Sequence, residues 1–365
     1  MIDCGDPTPL ENPQYEWVQC YASGELINPL AFGPQPISIV YDTTCGDDCR
    51  IAVRLSGYNG APDVCEGPNF AKPNTVRVNP CAGHYPHQQY FTGYMGWWGY
   101  FVDDSNNKRL AAAIDKATEY GGNKAIGVHL SGASYGGTGS LLQSMRLDNI
   151  TFVRADIPYT LFVQDFPEDS AGLAWEGQDR AVFDFTANAD PDIYYRIHGS
   201  PLDTGVGFNL DIFDVCNDKC LSCFGTWHAA GHNVWLNGMP LYYLDDYPGP
   251  SSQLDVDKPL VAFCNSTAND FGVVGHYNLG LEWNIHTMDG DTIPLRYQPK
   301  PEQPTDVTVD VTLRGVSIDE AVVTWTFNTQ RGIALNEGGK VYVPGLHMVA
   351  AEEYEAIELE GIPGC

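Results

Sequence analysis

Residues 132–136 read Gly-Ala-Ser-Tyr-Gly, and no other segment of the chain combines residue types and spacing so well suited to chemistry. A serine hydroxyl becomes a nucleophile only when a base takes its proton. In a G-x-S-x-G pattern between a strand and a helix, the serine occupies a sharp, strained turn that lifts Oγ above the sheet. Small residues two before and two after Ser134 let strand and helix approach closely. The following N–H, from Tyr135, then lies at a helix N-terminus, where it stabilises an oxyanion. The flanks supply that context. Ala125–Leu130 is a short apolar run that predicts a strand, and residues around 138–146 predict a helix. Without such flanks the same letters would be a glycine-rich turn with an incidental serine.

On these residues the chain resembles the α/β-hydrolase superfamily, over roughly residues 35–245. Ser134-Tyr135-Gly136-Gly137 is similar to the elbow of prolyl-oligopeptidase-type enzymes. The surrounding pattern equally resembles cutinase-like polyester hydrolases and feruloyl or acetyl esterases. The resemblance implies an α/β-hydrolase fold with a mostly parallel sheet, and chemistry that needs no metal and no organic cofactor. Family members also place a second N–H donor in the loop after an earlier strand. Here Arg50–Leu55 runs into Ser56-Gly57-Tyr58-Asn59-Gly60, without the histidine of the lipase form. Gly57-Tyr58 resembles the Gly-aromatic pair of cutinase-like polyesterases. That likeness implies a Tyr58 backbone N–H in the oxyanion hole and a Tyr58 ring as one wall of the acyl site.

The nucleophile needs a histidine, and the histidine needs an orienting carboxylate. The family's chain order is Ser, acid, His. The strand-like run Ile193–His198 leads into Gly199-Ser200-Pro201-Leu202-Asp203 and resembles the family's acid loop, which implies Asp203 as the acid. Asp156, after the preceding strand, is the alternative. Asp190 and Asp192 precede the strand, at its wrong end. Trp227-His228-Ala229-Ala230-Gly231-His232-Asn233-Val234-Trp235 resembles the histidine loop of secreted esterases and depolymerases. His232 takes the base role there, with His228 as competitor. His129 and His198 lie in strands and read as packed, structural histidines. Tyr58, Trp97, Trp98, Trp227 and Trp235 are the expected substrate contacts, and an aromatic-lined cleft favours an aromatic or polymeric ester.

The elements that would position these residues follow from pattern. Residues 36–43 and 50–55 read as strands joined by a turn-rich Cys45–Cys49 segment, which suits a hairpin. Residues 75–79 predict another strand. A helix runs from Ser105 or Asn106 to about Glu119, with Leu110, Ala113, Ile114 and Ala117 on one face, and Gly121-Gly122 stops it. Asn149–Ala155 and Ile193–His198 continue the strand–helix alternation of a mostly parallel sheet. Beyond Pro248-Gly249-Pro250 only strand-like runs recur: Leu260–Phe263, Asp306–Leu313, Ala321–Phe327 and Val341–Val343. The expected division is therefore a catalytic domain over 1–250 and a β-sandwich-like domain over 251–365. Trp283 and Trp325 read as core of the latter. Asp289-Gly290-Asp291 lacks the further spaced carboxylates of a calcium loop.

The chain has 365 residues and a net charge of −28, from 47 acidic and 19 basic side chains. Such a surface repels nucleic acid and anionic lipid, and no run is long and apolar enough to span a membrane. The opening Met1-Ile2-Asp3-Cys4 lacks the basic start and apolar run of a secretion signal, so none is expected within this sequence. Eleven cysteines, many in Gly-, Asp- and Pro-rich loops, point to disulfides and an oxidising compartment: secreted, extracellular or periplasmic. Cys45–Cys49 and Cys65–Cys81 are the local pairings expected. Cys216, Cys220 and Cys223 are spaced for a metal as well, but disulfides fit a chain of this composition better. Three functions compete at this point: a secreted serine ester hydrolase, a serine peptidase of the prolyl-oligopeptidase type, and a glycan-binding protein on a degenerate hydrolase fold. The peptidase reading is weakened because only about 35 residues precede the first sheet strand, too few for a gating propeller.

Overall fold

The computed structural model describes residues 1–26, 35–46, 48–55, 72–80, 105–158, 185–202, 210–229, 259–272, 274–284 and 287–363. The chain forms two compact units, residues 1–189 with 206–209 and residues 190–205 with 210–365. The expected boundary at 250/251 falls outside the described residues.

The first unit opens with β1 (Ile2–Cys4), β2 (Thr8–Pro9) and β3 (Tyr15–Ala22), and both short strands pair antiparallel to β3. It continues with β4 (Gln35–Asp42), β5 (Arg50–Leu55), β6 (Thr75–Pro80), α1 (Ser105–Thr118), β7 (Val128–Ala133), α2 (Tyr135–Ser144), β8 (Ile150–Asp156) and α3 (Phe185–Asn188). The strand order is β1-β3-β4-β6-β5-β7-β8. Strands β6, β5, β7 and β8 are parallel, and β3 and β4 join them antiparallel. Ile37, Ile39, Val53, Val76, Val78, Leu130 and Val153 are buried along this sheet. Helix α1 packs Leu110, Ala113, Ile114 and Ala117 inward, the face expected from their spacing.

The expected β4–β5 hairpin is corrected. Strand β6 lies beside β4, and β5 runs parallel to β6 on its far side. A short disulfide-closed turn looks like a hairpin locally. Placed between β6 and β7, however, β5 finds a hydrogen-bonding neighbour on each edge, which long-range pairing alone can supply. The strand before the serine also starts later than its apolar run suggested. Residues Lys124–Ile126 form a 3₁₀ turn, capped by the Asn123 side chain accepting from the Ala125 N–H at 2.9 Å. Gly127 then turns the chain with φ 118°, and a Cβ there would meet the Thr151 side chain at 2.6 Å. The strand therefore runs from Val128 to the elbow itself.

The second unit contains β9 (Tyr194–Gly199), α4 (Asp211–Asp218), β10 (Ser222–Trp227), β11 (Leu260–Cys264), β12 (Gly275–Tyr277), β13 (Leu281–Trp283) and β14 (Thr292–Tyr297). It ends with β15 (Asp306–Arg314), β16 (Val322–Phe327), β17 (Gln330–Leu335), β18 (Val341–Val349) and β19 (Glu355–Gly361). Strands β9 and β10 are parallel, and β12 adds antiparallel to β10. Two antiparallel sheets follow, ordered β11-β15-β18 and β13-β14-β19-β16-β17. Alternation of buried Val307, Val309 and Val311 with more exposed neighbours leaves β15 one apolar face. Trp283 and Trp325 are buried, as expected of core residues. Glu282 is fully buried and receives Arg296, whose guanidinium also covers the Tyr354 ring at 4.4 Å.

Cysteine pairs at disulfide distance are Cys4–Cys20, Cys45–Cys49, Cys216–Cys223 and Cys220–Cys264. The Cys216-Cys220-Cys223 cluster thus divides between two disulfides. Cys65, Cys81 and Cys365 lie outside the described residues. Cys220–Cys264 closes the longest of these loops, 44 residues, and ties β11 to the turn after α4. Loss of such a cross-link frees the unfolded chain. The double variant Cys220→Ser/Cys264→Ser is expected to lose about 2–4 kcal/mol, read from denaturant unfolding, while a conventional reducing agent lowers the melting temperature of the parent protein and not of this variant to the same extent.

Candidate active site

Strand β5 has β6 on one side and β7 on the other, so the winding of the first unit reverses there. Crevices of open α/β sheets form at such reversals, outside the carboxyl ends of the strands. Leu55 and Gly132 pair across β5 and β7, which brings both carboxyl ends to one level. Ser134 follows β7 at that edge. Its backbone has φ 55° and ψ −122°, left-handed and strained for a residue with a Cβ. The turn is held from both sides. The Ser134 N–H donates to the Asp156 carbonyl at 2.8 Å, and the Thr138 N–H donates to the Ser134 carbonyl at 3.0 Å.

The glycines of the motif have a measurable steric reason. A Cβ at Gly132 would lie 2.3 Å from the Gly136 backbone, and one at Gly137 would lie 2.8 Å from the Asp156 carbonyl oxygen. Gly132→Ala therefore has to push strand and helix apart. An unfolding loss of roughly 1–3 kcal/mol is expected, with a collapse of activity larger than that loss explains, because the turn itself is displaced. Matched urea melts and initial rates would check both parts. Tyr135 opens α2, so its N–H belongs to the first-turn donors that have no intrahelical acceptor. Ser134 thus sits in a tight, strained turn between a parallel strand and a helix, the backbone setting expected of it from the sequence.

Asp156 ends β8, and its carboxylate takes both bonds from the Arg154 Nε, at 2.9 and 3.1 Å. Its carbonyl, which buttresses Ser134, is a contribution that motif reading missed, since backbone acceptors leave no mark in sequence. In the second unit the loops expected to carry the acid and the histidine start side by side. The His228 N–H donates to the Gly199 carbonyl at 3.2 Å, where β10 and β9 end. Ser200 is buried and Leu202 exposed beyond Gly199. Asp203 and His232 themselves lie outside the described residues, as do Tyr58, Trp97, Trp98 and Trp235.

His228 is half-buried, and that burial lowers its pKa below the ordinary histidine value. His198 is locked. Arg196 Nε donates to its Nε2 at 2.9 Å, which leaves the Nδ1–H facing Thr226 Oγ1 at 2.6 Å. His129 is buried edge-on to Phe152. Both strand histidines are thus packed as expected. Trp227 is corrected from substrate contact to packing residue. It is 1% exposed, stacks on Phe213 at 5.1 Å, and donates its indole N–H to the Gly272 carbonyl at 2.8 Å. As the last residue of β10 it points into the layer between strand and helix α4, where an indole satisfies both burial and its one donor.

No protein-family model matches the chain, and no curated protein matches it. Solved structures similar to it include an S-formylglutathione hydrolase from Agrobacterium tumefaciens, 13% identical, with 69% of this chain and 99% of that chain covered at TM-score 0.47. An acetyl xylan esterase from Paenibacillus sp. R4 is 14% identical over 66% of this chain and 84% of that chain, at TM-score 0.44. Prolyl oligopeptidase B from Galerina marginata is 15% identical over 56% of this chain and 31% of that chain, at TM-score 0.37.

Proposed function

We propose that the protein is a serine carboxylic-ester hydrolase that works through an acyl-enzyme. The observation that carries this reading is the Ser134 backbone, left-handed at the carboxyl edge of β7 beside the winding reversal at β5. His232 takes the Oγ proton as Oγ bonds to the ester carbonyl carbon. The resulting oxyanion rests on the N–H groups of Tyr135 and Tyr58. The tetrahedral adduct collapses, the C–O bond to the alcohol breaks, and His232 gives its proton to the departing oxygen. Water then enters by the same route in reverse and releases the acid. Asp203 orients His232 and balances its charged form. Trp97, Trp98, Trp235 and the Tyr58 ring are the proposed substrate contacts.

The loop disulfides support action outside the cytoplasm, and the substrate class we favour is an aromatic or polymeric ester. The two C-terminal antiparallel sheets are read as a sandwich-like accessory domain beginning near residue 251. The test is rapid mixing with a p-nitrophenyl ester, beside a panel of short peptides. A stoichiometric burst of nitrophenol followed by slower turnover is expected. Cleavage of peptides with no ester burst would put the peptidase reading in its place.

A further inference from the structure

Ile157 follows β8 with φ 44°. Left-handed backbone is costly for any residue with a Cβ, and most of all for a β-branched one. Among the described residues, nine non-glycine positions have positive φ; five are asparagines, and Ile157 is the one β-branched member. Pro158 adds to the cost, because a residue before proline is pushed toward extended backbone. Such a conformation persists only where its surroundings over-determine it. Ile157 is 5% exposed and Pro158 is buried as well, so packing, not turn chemistry, holds the bend.

The bend lies beside the proposed nucleophile in the same unit. Strands β7 and β8 are parallel with Ala133 opposite Asp156, so both end at one level, each on a left-handed residue, Ser134 and Ile157. The peptide between Asp156 and Ile157 links the two. Its carbonyl accepts the Ser134 N–H at 2.8 Å. Helix α2 rests on the same residue, since a Cβ at Gly137 would lie 2.8 Å from the Asp156 carbonyl oxygen and 3.2 Å from its nitrogen. The peptide is planar, so the direction of that carbonyl is set by the rotations flanking it, ψ of Asp156 and φ of Ile157. With Pro158 held in the interior, a change of φ at Ile157 is taken up by the carbonyl. The carbonyl then shifts against Ser134 and against the first turn of α2, where Tyr135 carries the proposed oxyanion donor. The Asp156 carboxylate is tied separately to Arg154, so this coupling runs through backbone alone.

We propose that Ile157 is a positioning residue for Ser134: its packed side chain enforces a left-handed turn that aims the Asp156 carbonyl and thereby sets the nucleophile and the Tyr135 N–H. The inference rests on the hydrolase reading of Ser134. Two quantities test it: kcat and KM on p-nitrophenyl acetate, and the second-order rate of labelling by an alkyl fluorophosphonate. In the label, Oγ bonds to phosphorus, fluoride leaves, and the hydroxyl proton passes to the base, so the rate reads Ser134 itself. Ile157→Ala keeps a Cβ but loses the packing, and its turn relaxes toward the extended backbone that Pro158 favours. Its kcat and labelling rate are expected to fall roughly 10- to 100-fold, the scale of a misplacement of about 1 Å, with KM nearly constant. Ile157→Gly loses more side chain yet adopts positive φ freely, and should recover to within about threefold of the parent. Ile157→Val, which keeps the β-branch and most of the packing, should match the parent. Packing alone predicts the opposite order for Gly and Ala. Parent-like labelling of folded Ile157→Ala, or a Gly variant no faster than the Ala variant, overturns the assignment and leaves the hydrolase reading intact. A parent protein that the fluorophosphonate does not label overturns both. Should the Ala or Gly variant fail to fold, Ile157→Ser and Ile157→Asn decide by the same criterion, since asparagine tolerates the left-handed region and serine does so less readily.

Discussion

Ser134→Ala is expected to lower kcat on an activated ester by at least roughly 10³-fold and to abolish the burst, a loss of about 4 kcal/mol of transition-state stabilisation. The size follows from the step removed. Without Oγ no acyl-enzyme forms, and the oxyanion donors and binding surface are all that remain to assist attack by water. The substitution is mild for the fold. Alanine keeps a Cβ, so the strain at φ 55° is the same as for serine. The two bonds that hold the turn, from Ser134 N–H to Asp156 and from Thr138 N–H to Ser134, are both made by backbone atoms of residue 134. A thermal melt within a degree or two of the parent should accompany the loss. Parent-like turnover with a retained burst would move the nucleophile to another residue.

Asp203→Asn is expected to cost about 10⁴-fold in kcat, the magnitude seen when a serine protease loses its orienting carboxylate and presents the wrong imidazole tautomer. Asp156→Asn is the informative partner. Its carboxylate is already committed to Arg154 within β8, and its carbonyl, the group that supports Ser134, survives the change to asparagine. Activity should therefore fall only a few-fold, and stability by on the order of 1 kcal/mol from the part-buried ion pair. Both variants are to be assayed on one ester with matched melts. If Asp156→Asn is the inactive member, the acid follows β8 and the His198-Gly199 loop is structural.

The local parts of this molecule were legible from residue pattern. The strand Arg50–Leu55 and the buried face of α1 depend on side-chain spacing within a few turns, and so they can be read from the chain directly. The elbow is legible for the same reason: Gly132 and Gly137 are small because backbone passes within van der Waals distance, and only glycine answers that need. The Cys45–Cys49 pair needed no more than its four-residue spacing.

Tertiary structure decided what sequence pattern could not. The apparent β4–β5 hairpin became a parallel placement of β5 between β6 and β7, because strand order is chosen by pairing between distant segments. Trp227 looked like a ligand contact and became core, since an aromatic in a motif-rich loop and one stacked on Phe213 have the same letter. Motif letters report the constraints a residue's own backbone imposes. Which side chain is left facing solvent at a strand end depends on what else packs there, and that is written only in the fold.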